Sequence, residues 1–252
     1  MRKANLERRK EQRPTPRTRR VCARQVHSPT LTLLFCLCLL LLPGLLGAVE
    51  IHSNGRGGGD WSDPDTWHGG LVPTAQDTVV IAMRDTVAVD QDHSEQISCL
   101  DLYLDPEGVL SFKPGRETRA LTVAGSIECY GIIRLDATGS SRQEMRLQFL
   151  GDVDHKTRQI ILMKQSSLFV YGHERTRPEA RNAFIGGVSL APDQPAPLVT
   201  VKADDQIMVD IQHGTVAEVL LELSHLDNTN ATAGERLNLI ENHFTGNSRA
   251  LL

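Results

Sequence analysis

The sequence predicts an all-β chain of 252 residues, wound as a right-handed parallel β-helix (a β-solenoid) and open at its C-terminal end. Three observations point there. Past Trp67 the apolar residues alternate, or fall in short Val, Ile and Leu runs broken by Gly, Asp or Pro. The units join at single glycines, as in Leu121-x-Val-x-Gly-x-Ile-x-Cys-x-Gly-x-Ile-x-Leu135, not at the Asn-Gly or Asp-Gly pairs of tight hairpins. Aromatic content is low, at 4%, and the Cys…Trp…Cys frame of an immunoglobulin sandwich is missing. A sandwich is the second choice.

The chain opens with a leader. Ten of its 27 basic residues but only two of its 31 acidic ones lie in the first thirty positions. An apolar core, Leu31 to Leu42, follows, and then Pro43-Gly44 and the small pair Gly47-Ala48. That layout is a secretory signal, with cleavage expected near Ala48 although Leu46 is bulky for that position. The rival reading is an uncleaved anchor, since Leu31 to Ala48 approaches the roughly 17–25 apolar residues that span a bilayer. The arginines would then stay cytoplasmic. Pro43-Gly44 breaks the span and favours export. Both readings put the β domain outside the cell, with the membrane touched only through the N-terminal segment.

Past the leader, seventeen basic residues face twenty-nine acidic ones, a net of −12. So acidic a surface argues against nucleic acid and against charge-driven binding of polyanions. About 200 residues are enough for one substantial core. The expected division is 1–48 signal or anchor, 49–60 a flexible glycine-rich lead-in, 61–190 a β domain and 191–252 a continuation in β-helix repeats that stops in mid-cadence. Cys99 and Cys129 each occupy an apolar position of a strand-like segment. A disulfide in an oxidising compartment and two buried free thiols fit them equally.

The strands follow in order. Thr78–Ala82, Thr86–Val89, Leu100–Leu104, Val109–Phe112, Leu121–Val123, Ser126–Cys129 and Ile132–Leu135 form a first series. Arg146–Leu150, Gln159–Met163, Ser167–Tyr171, Leu198–Val201, Gln206–Ile211, Val219–Leu223 and Leu237–Ile240 form a second. Period-two alternation is clearest from Ile97 to Phe112. One segment argues back: Thr215-Val-Ala-Glu218 is a capping-box pattern, and Val216, Val219, Leu220, Leu223 and Leu226 share a helical face. A helix over Thr215–Leu226 therefore competes with strands, which are retained for its second half. Asn242 and Asn247 are placed at stacked turns that need left-handed backbone.

The most specific stretch is Trp61-Ser-Asp63-Pro64-Asp-Thr66-Trp67-His-Gly69-Gly70-Leu-Val-Pro73, three residues, then Asp77-Thr-Val-Val-Ile81. It resembles the opening of the eight-glycine (G-eight) domain, known from fibrocystin, from cell-surface and secreted hyaluronan-degrading proteins and from bacterial extracellular proteins. Gly108-Val-Leu-Ser-Phe112 and Gly125-Ser-Ile-Glu-Cys-Tyr-Gly131 follow the family's later cadence. The resemblance covers Trp61 to Tyr171 and implies an extracellular β-rich domain continued by parallel β-helix repeats. It also brings an association with hyaluronan turnover. The loops Ala137–Met145 and His173–Ala183 depart from its glycine pattern.

Candidate chemistry is sparse. The two tryptophans read first as core cover and only second as a sugar-stacking platform. Asp90-Gln-Asp92-His93 and Asp152-Val-Asp154-His155 place carboxylates two apart, which suits calcium. Neither has a complete calcium-loop spacing, so no metal or cofactor is assigned and calcium is the only ion entertained. Asp204, Asp210 and His213, with Asp205, form the best acid/base set and would suit glycoside hydrolysis or a calcium-assisted lyase. No His-Glu-x-x-His, Gly-x-Ser-x-Gly or nucleophilic cysteine motif occurs. Asn230-Ala-Thr232 is a glycosylation acceptor in a eukaryotic source. The expectation is thus a secreted or cell-surface module that contacts an extracellular polysaccharide or a matrix or cell-surface protein. The alternative is a hyaluronidase-like or lyase-like enzyme, or a fragment of one.

Overall fold

The computed structural model describes residues 48–91, 97–150, 158–163, 165–177, 180–189, 194–203, 207–222 and 236–251. Residues 1–47 of the leader lie outside them, as do Asp92, His93, Asp152, Asp154, His155, Asp204, Asp205 and Asn230. Among the described residues, no helix is long and apolar enough to cross a membrane.

The strands run β1 (Glu50–His52), β2 (Gly58–Asp60), β3 (Thr78–Ile81), β4 (Thr86–Val89), β5 (Ile97–Cys99), β6 (Asp101–Leu104) and β7 (Val109–Phe112). They continue as β8 (Arg119–Val123), β9 (Ile127–Cys129), β10 (Ile132–Asp136), β11 (Met145–Leu150), β12 (Arg158–Leu162), β13 (Ser167–Tyr171) and β14 (Ala183–Val188). The last are β15 (Val199–Ala203), β16 (Met208–Gln212), β17 (Thr215–Ala217), β18 (Val219–Glu222), β19 (Arg236–Ile240), β20 (His243–Thr245) and β21 (Arg249–Leu251). They form three sheets: β1-β3-β6-β9-β12-β15-β18-β21, β2-β4-β7-β10-β13-β16-β19 and β5-β8-β11-β14-β17-β20. All pairs of these strands are parallel, and from β3 onward the chain visits the first, second and third sheet in turn. That is a parallel β-helix.

Period-two sequence becomes stacking through register. Val79 lies opposite Leu102, Leu102 opposite Ile127, Ile127 opposite Ile160, Ile160 opposite Val201 and Val201 opposite Leu221. The second sheet repeats the pattern with Val87, Leu110, Ile133, Leu168 and Val209, and the third with Ile97, Leu121, Leu147, Ile185 and Val216. All of these side chains are buried. Each inward aliphatic contributes about 2 kcal/mol of burial. Because a coil cannot enclose these residues alone, stability comes from neighbour on neighbour. At the last coil, Leu237 and Leu239 are only partly buried and Phe244 is 41% exposed, although all three continue inward ladders.

Glycines stand where coils approach most closely. A Cβ on Gly131 would collide with the Gly108 carbonyl oxygen, so this part of the glycine cadence follows from stacking. Among described residues other than glycine, left-handed backbone falls on Arg84, Glu107, Gln165, His213, Glu218 and Glu241. Asn242 and Asn247 are not among them, which corrects the reading of those two asparagines. Asn242 serves its turn with its side chain: Oδ1 accepts from Gly214 N at 2.9 Å and Nδ2 donates to Ile211 O at 2.7 Å. Asn247 likewise donates through Nδ2 to Glu218 Oε2 at 2.7 Å.

The helix that competes for Thr215 onward does not form. Thr215–Ala217 pairs with β14 and β20, Val219–Glu222 pairs with β15, and left-handed Glu218 makes the corner between them. Ladder pairing on both sides outweighs the local capping pattern. The glycine-rich segment 49–60 is not a flexible lead-in either. β1 and β2 lie in the first coil, paired with β3 and β4. Strands on either side of residue 190 share sheets, β12 with β15 and β13 with β16.

Candidate functional site

Two places in the fold concentrate the residues singled out in the sequence. At the first coil, Asp63 caps a 3-10 turn over Pro64–Thr66, and the tryptophans meet edge to face with ring centroids 5.1 Å apart. Trp67 Nε1 donates to Trp61 O at 2.7 Å. Both indoles are at most 2% exposed and belong to the hydrophobic core. They cover the core; no sugar platform is available there. Asp77 accepts from Thr74 N and Oγ1 at 2.8 and 2.7 Å. Asp90 accepts from Ser62 N and Oγ at 3.0 and 2.6 Å. Gly69 and Gly70 hold positive φ, and Pro73 is buried beside them. The motif is therefore a folding device.

The second place is the outward face of the second sheet and its corner into the third. Register stacks Arg134, Phe169, Asp210 and Asn238 in one outward row and Asp136, Tyr171, Gln212 and Ile240 in the next. Asp136, Tyr171 and Gln212 each end their strand, so each sits beside a corner loop. Those loops, 137–144 and 172–182, are the two that depart from the glycine cadence. They are tied together by Asn182, whose Nδ2 donates to Ala137 O, Ser140 O and Gln143 O at 3.1, 2.8 and 2.8 Å. Asn182 Oδ1 accepts from His173 N at 2.8 Å. The result is a depression of about 330 Å³ lined by Asp136, Thr138, Tyr171, Gly172, Gln212 and His213.

Asp210 is the anchor beside this depression. It is 8% exposed. Its Oδ2 accepts from the Tyr171 hydroxyl at 3.0 Å, and its Oδ1 accepts from Gln212 Nε2 at 2.9 Å and Asn238 Nδ2 at 3.0 Å. Partial burial, with the hydrogen bond to Asp210 and its charge, pushes the Tyr171 phenol up to about 12, so it stays a donor at neutral pH. Phe169 packs against Tyr171 at 5.8 Å and receives the Arg134 guanidinium at 5.4 Å on its ring. Asp136 Oδ1 accepts from Thr138 N and Oγ1 at 3.2 and 2.6 Å.

His213 turns the corner in left-handed backbone directly above Gly172, where a Cβ would collide with the His213 carbonyl oxygen. Its Nδ1 is buried, 3.4 Å from Glu241 Oε2 and without a hydrogen bond. Arg181 approaches the same Glu241 oxygen at 3.8 Å and is otherwise held by Thr176 O at 2.8 Å.

Of the acid/base set read in the sequence, Asp210 and His213 are thus brought to one site; Asp204 and Asp205 lie outside the described residues. Asp136 and Tyr171 complete the site and were not singled out in the sequence. The signal was their shared place as the last residue of β10 and β13, visible only once the coils are in register.

Cys99 and Cys129 are separate free thiols, on the third and first sheets, each in an inward ladder. The pairing considered for them does not occur. Burial raises both thiols, Cys129 to about 12, and the nearby Asp101 carboxylate adds to the shift at Cys99. Neither is a nucleophile at neutral pH. Among the described residues, no group of three or more His, Cys, Asp or Glu converges to hold a metal ion.

Fold and site together define a class: a parallel β-solenoid with a polar depression on one outward sheet face. No family model, curated protein or solved structure matches the chain.

Proposed function

We propose that this chain is a secreted or cell-surface β-solenoid module that binds an extracellular carbohydrate and performs no catalysis on it. The observation that carries the reading is the Asp210-centred network beside the depression. Tyr171, Gln212 and Asp136 present a hydroxyl, an amide and a carboxylate at strand ends, and Thr138 adds a second hydroxyl from the corner loop. Fixed polar groups beside an aromatic face are the means by which a hydroxyl-rich ligand is oriented. The leader supports export, and the resemblance to the eight-glycine family supports a setting at the cell surface or in the matrix.

The polysaccharide-cleaving alternative has less support. General acid–base work needs a carboxyl group free to exchange a proton with the substrate. Asp210 already accepts three hydrogen bonds, and its neighbour Tyr171 holds its proton far above neutrality. Affinity electrophoresis of the full chain through gels containing neutral and charged polysaccharides tests the reading. Retardation that disappears in Tyr171→Ala, with no release of reducing ends on long incubation, is the expected result. Reducing-end release lost in Asp210→Ala would establish the enzyme instead.

A further inference from the structure

We propose that the depression selects an amino-bearing glycan, one whose sugar residues carry a free ammonium group, over uronate-containing chains. The inference rests on the carbohydrate reading and names its substrate class. The lining itself supplies the argument. Asp136 is the charged side chain in the wall that carries no cation partner within it, and Thr138 takes up only its Oδ1. Asp210 stands directly behind Tyr171 and Gln212.

The cations nearby are directed elsewhere. The Arg134 guanidinium lies over the Phe169 ring. Arg181 donates to the Glu174 and Thr176 carbonyls and approaches Glu241, itself a third carboxylate, which adjoins His213. Asp136 ends β10 in register with Tyr171 at the end of β13, so the carboxylate and the phenol stand side by side on the open face.

An ammonium group seated beside the exposed Asp136 would gain a charge-assisted hydrogen bond. A uronate in the same position would meet two carboxylates. The N-acetylated sugar keeps the hydroxyl contacts and loses the charge. The three chemistries therefore rank ammonium above neutral above carboxylate.

The test is a calorimetric titration of the full chain at low ionic strength with three probes of equal length: a fully deacetylated chito-oligosaccharide, its fully N-acetylated counterpart and an oligogalacturonate. The deacetylated probe is expected to bind about tenfold tighter than the acetylated one, and the galacturonate weakest. In Asp136→Asn the preference should fall to about twofold or less. Glu107→Gln removes an exposed carboxylate paired with Arg84 on a different corner and should leave the preference intact.

Equal loss in both variants would mean bulk attraction of a polycation to an acidic surface, and would overturn the proposal. So would equal binding of the acetylated and deacetylated probes, or tighter binding of the galacturonate, either of which leaves the carbohydrate reading standing. If none of the three probes binds, the carbohydrate reading itself fails.

Discussion

Two buried carboxylates, Asp85 and Asp210, show how similar local chemistry serves different ends in one solenoid. Asp85 is 1% exposed and accepts from Ser53 Oγ at 2.5 Å and from the Gly55 and Gly57 amides at 2.8 Å each. Two of its three donors are backbone, and Ser53 Oγ also accepts from Ala82 N at 2.8 Å. The group closes the glycine turn of the first coil onto the next. Asp210, by contrast, draws all three donors from side chains, on a face that opens into a depression. A carboxylate satisfied by backbone amides fixes the course of the chain. One satisfied by side chains at an open face fixes the geometry of what a ligand would touch.

That contrast can be broken in graded steps. The largest effect is expected at the first coil, where Trp67→Ala removes a buried indole that packs on Trp61 and should cost about 4 kcal/mol. A denaturant titration followed by circular dichroism reads it. Asp85→Ala leaves the Gly55 and Gly57 amides and the buried Ser53 hydroxyl without their acceptor and should cost about 3 kcal/mol, with carbohydrate binding unchanged in the fraction that folds. Asp210→Ala should cost only about 1 kcal/mol, because its donors lie near solvent. It should nevertheless weaken carbohydrate binding at least about tenfold by releasing Tyr171 and Gln212. If the two variants exchanged these outcomes, the distinction between them would fail.

The smallest effect is one of pH. Tyr171 is raised in the folded state, chiefly by burial and then by its bond to Asp210. The folded protein therefore keeps this proton where the unfolded chain loses it. The stability this provides is complete below about pH 10 and is lost as pH rises toward the folded value of about 12. Tyr130 is raised too, by its hydrogen bond to Glu128, so ultraviolet titration of phenolate absorbance should show that the last tyrosine to ionise is missing in Tyr171→Phe.

The strands were legible in the sequence wherever side chains alternate. Thr86–Val89, Val109–Phe112 and Ser167–Tyr171 coincide with β4, β7 and β13. β14 was missed because Gly186 and Gly187 occupy its centre, where a side chain would strike the Ala217 and Pro197 carbonyl oxygens. Close approach of backbone leaves no hydrophobic alternation to read. The packing role of Trp61 and Trp67 was legible because both lie in a tight, glycine-bounded turn. The site was only half legible. Asp210 and His213 are near neighbours in sequence, but Asp136 and Tyr171 reach them through coils of unequal length, with long corner loops between. The loops that broke the glycine cadence turn out to be those that border the depression, so the departure was itself the signal.

Amide hydrogen exchange of the full chain, with and without a saturating oligosaccharide, compares the two regions in one experiment. Ligand-dependent protection is predicted at the corner amides of Ala137, Thr138, Gly172 and His213, with none at Trp61 to Gly70. Protection confined to the tryptophan turn, or absent from the corner while the oligosaccharide is bound, would contradict the assignment of the Asp210 face as the binding surface.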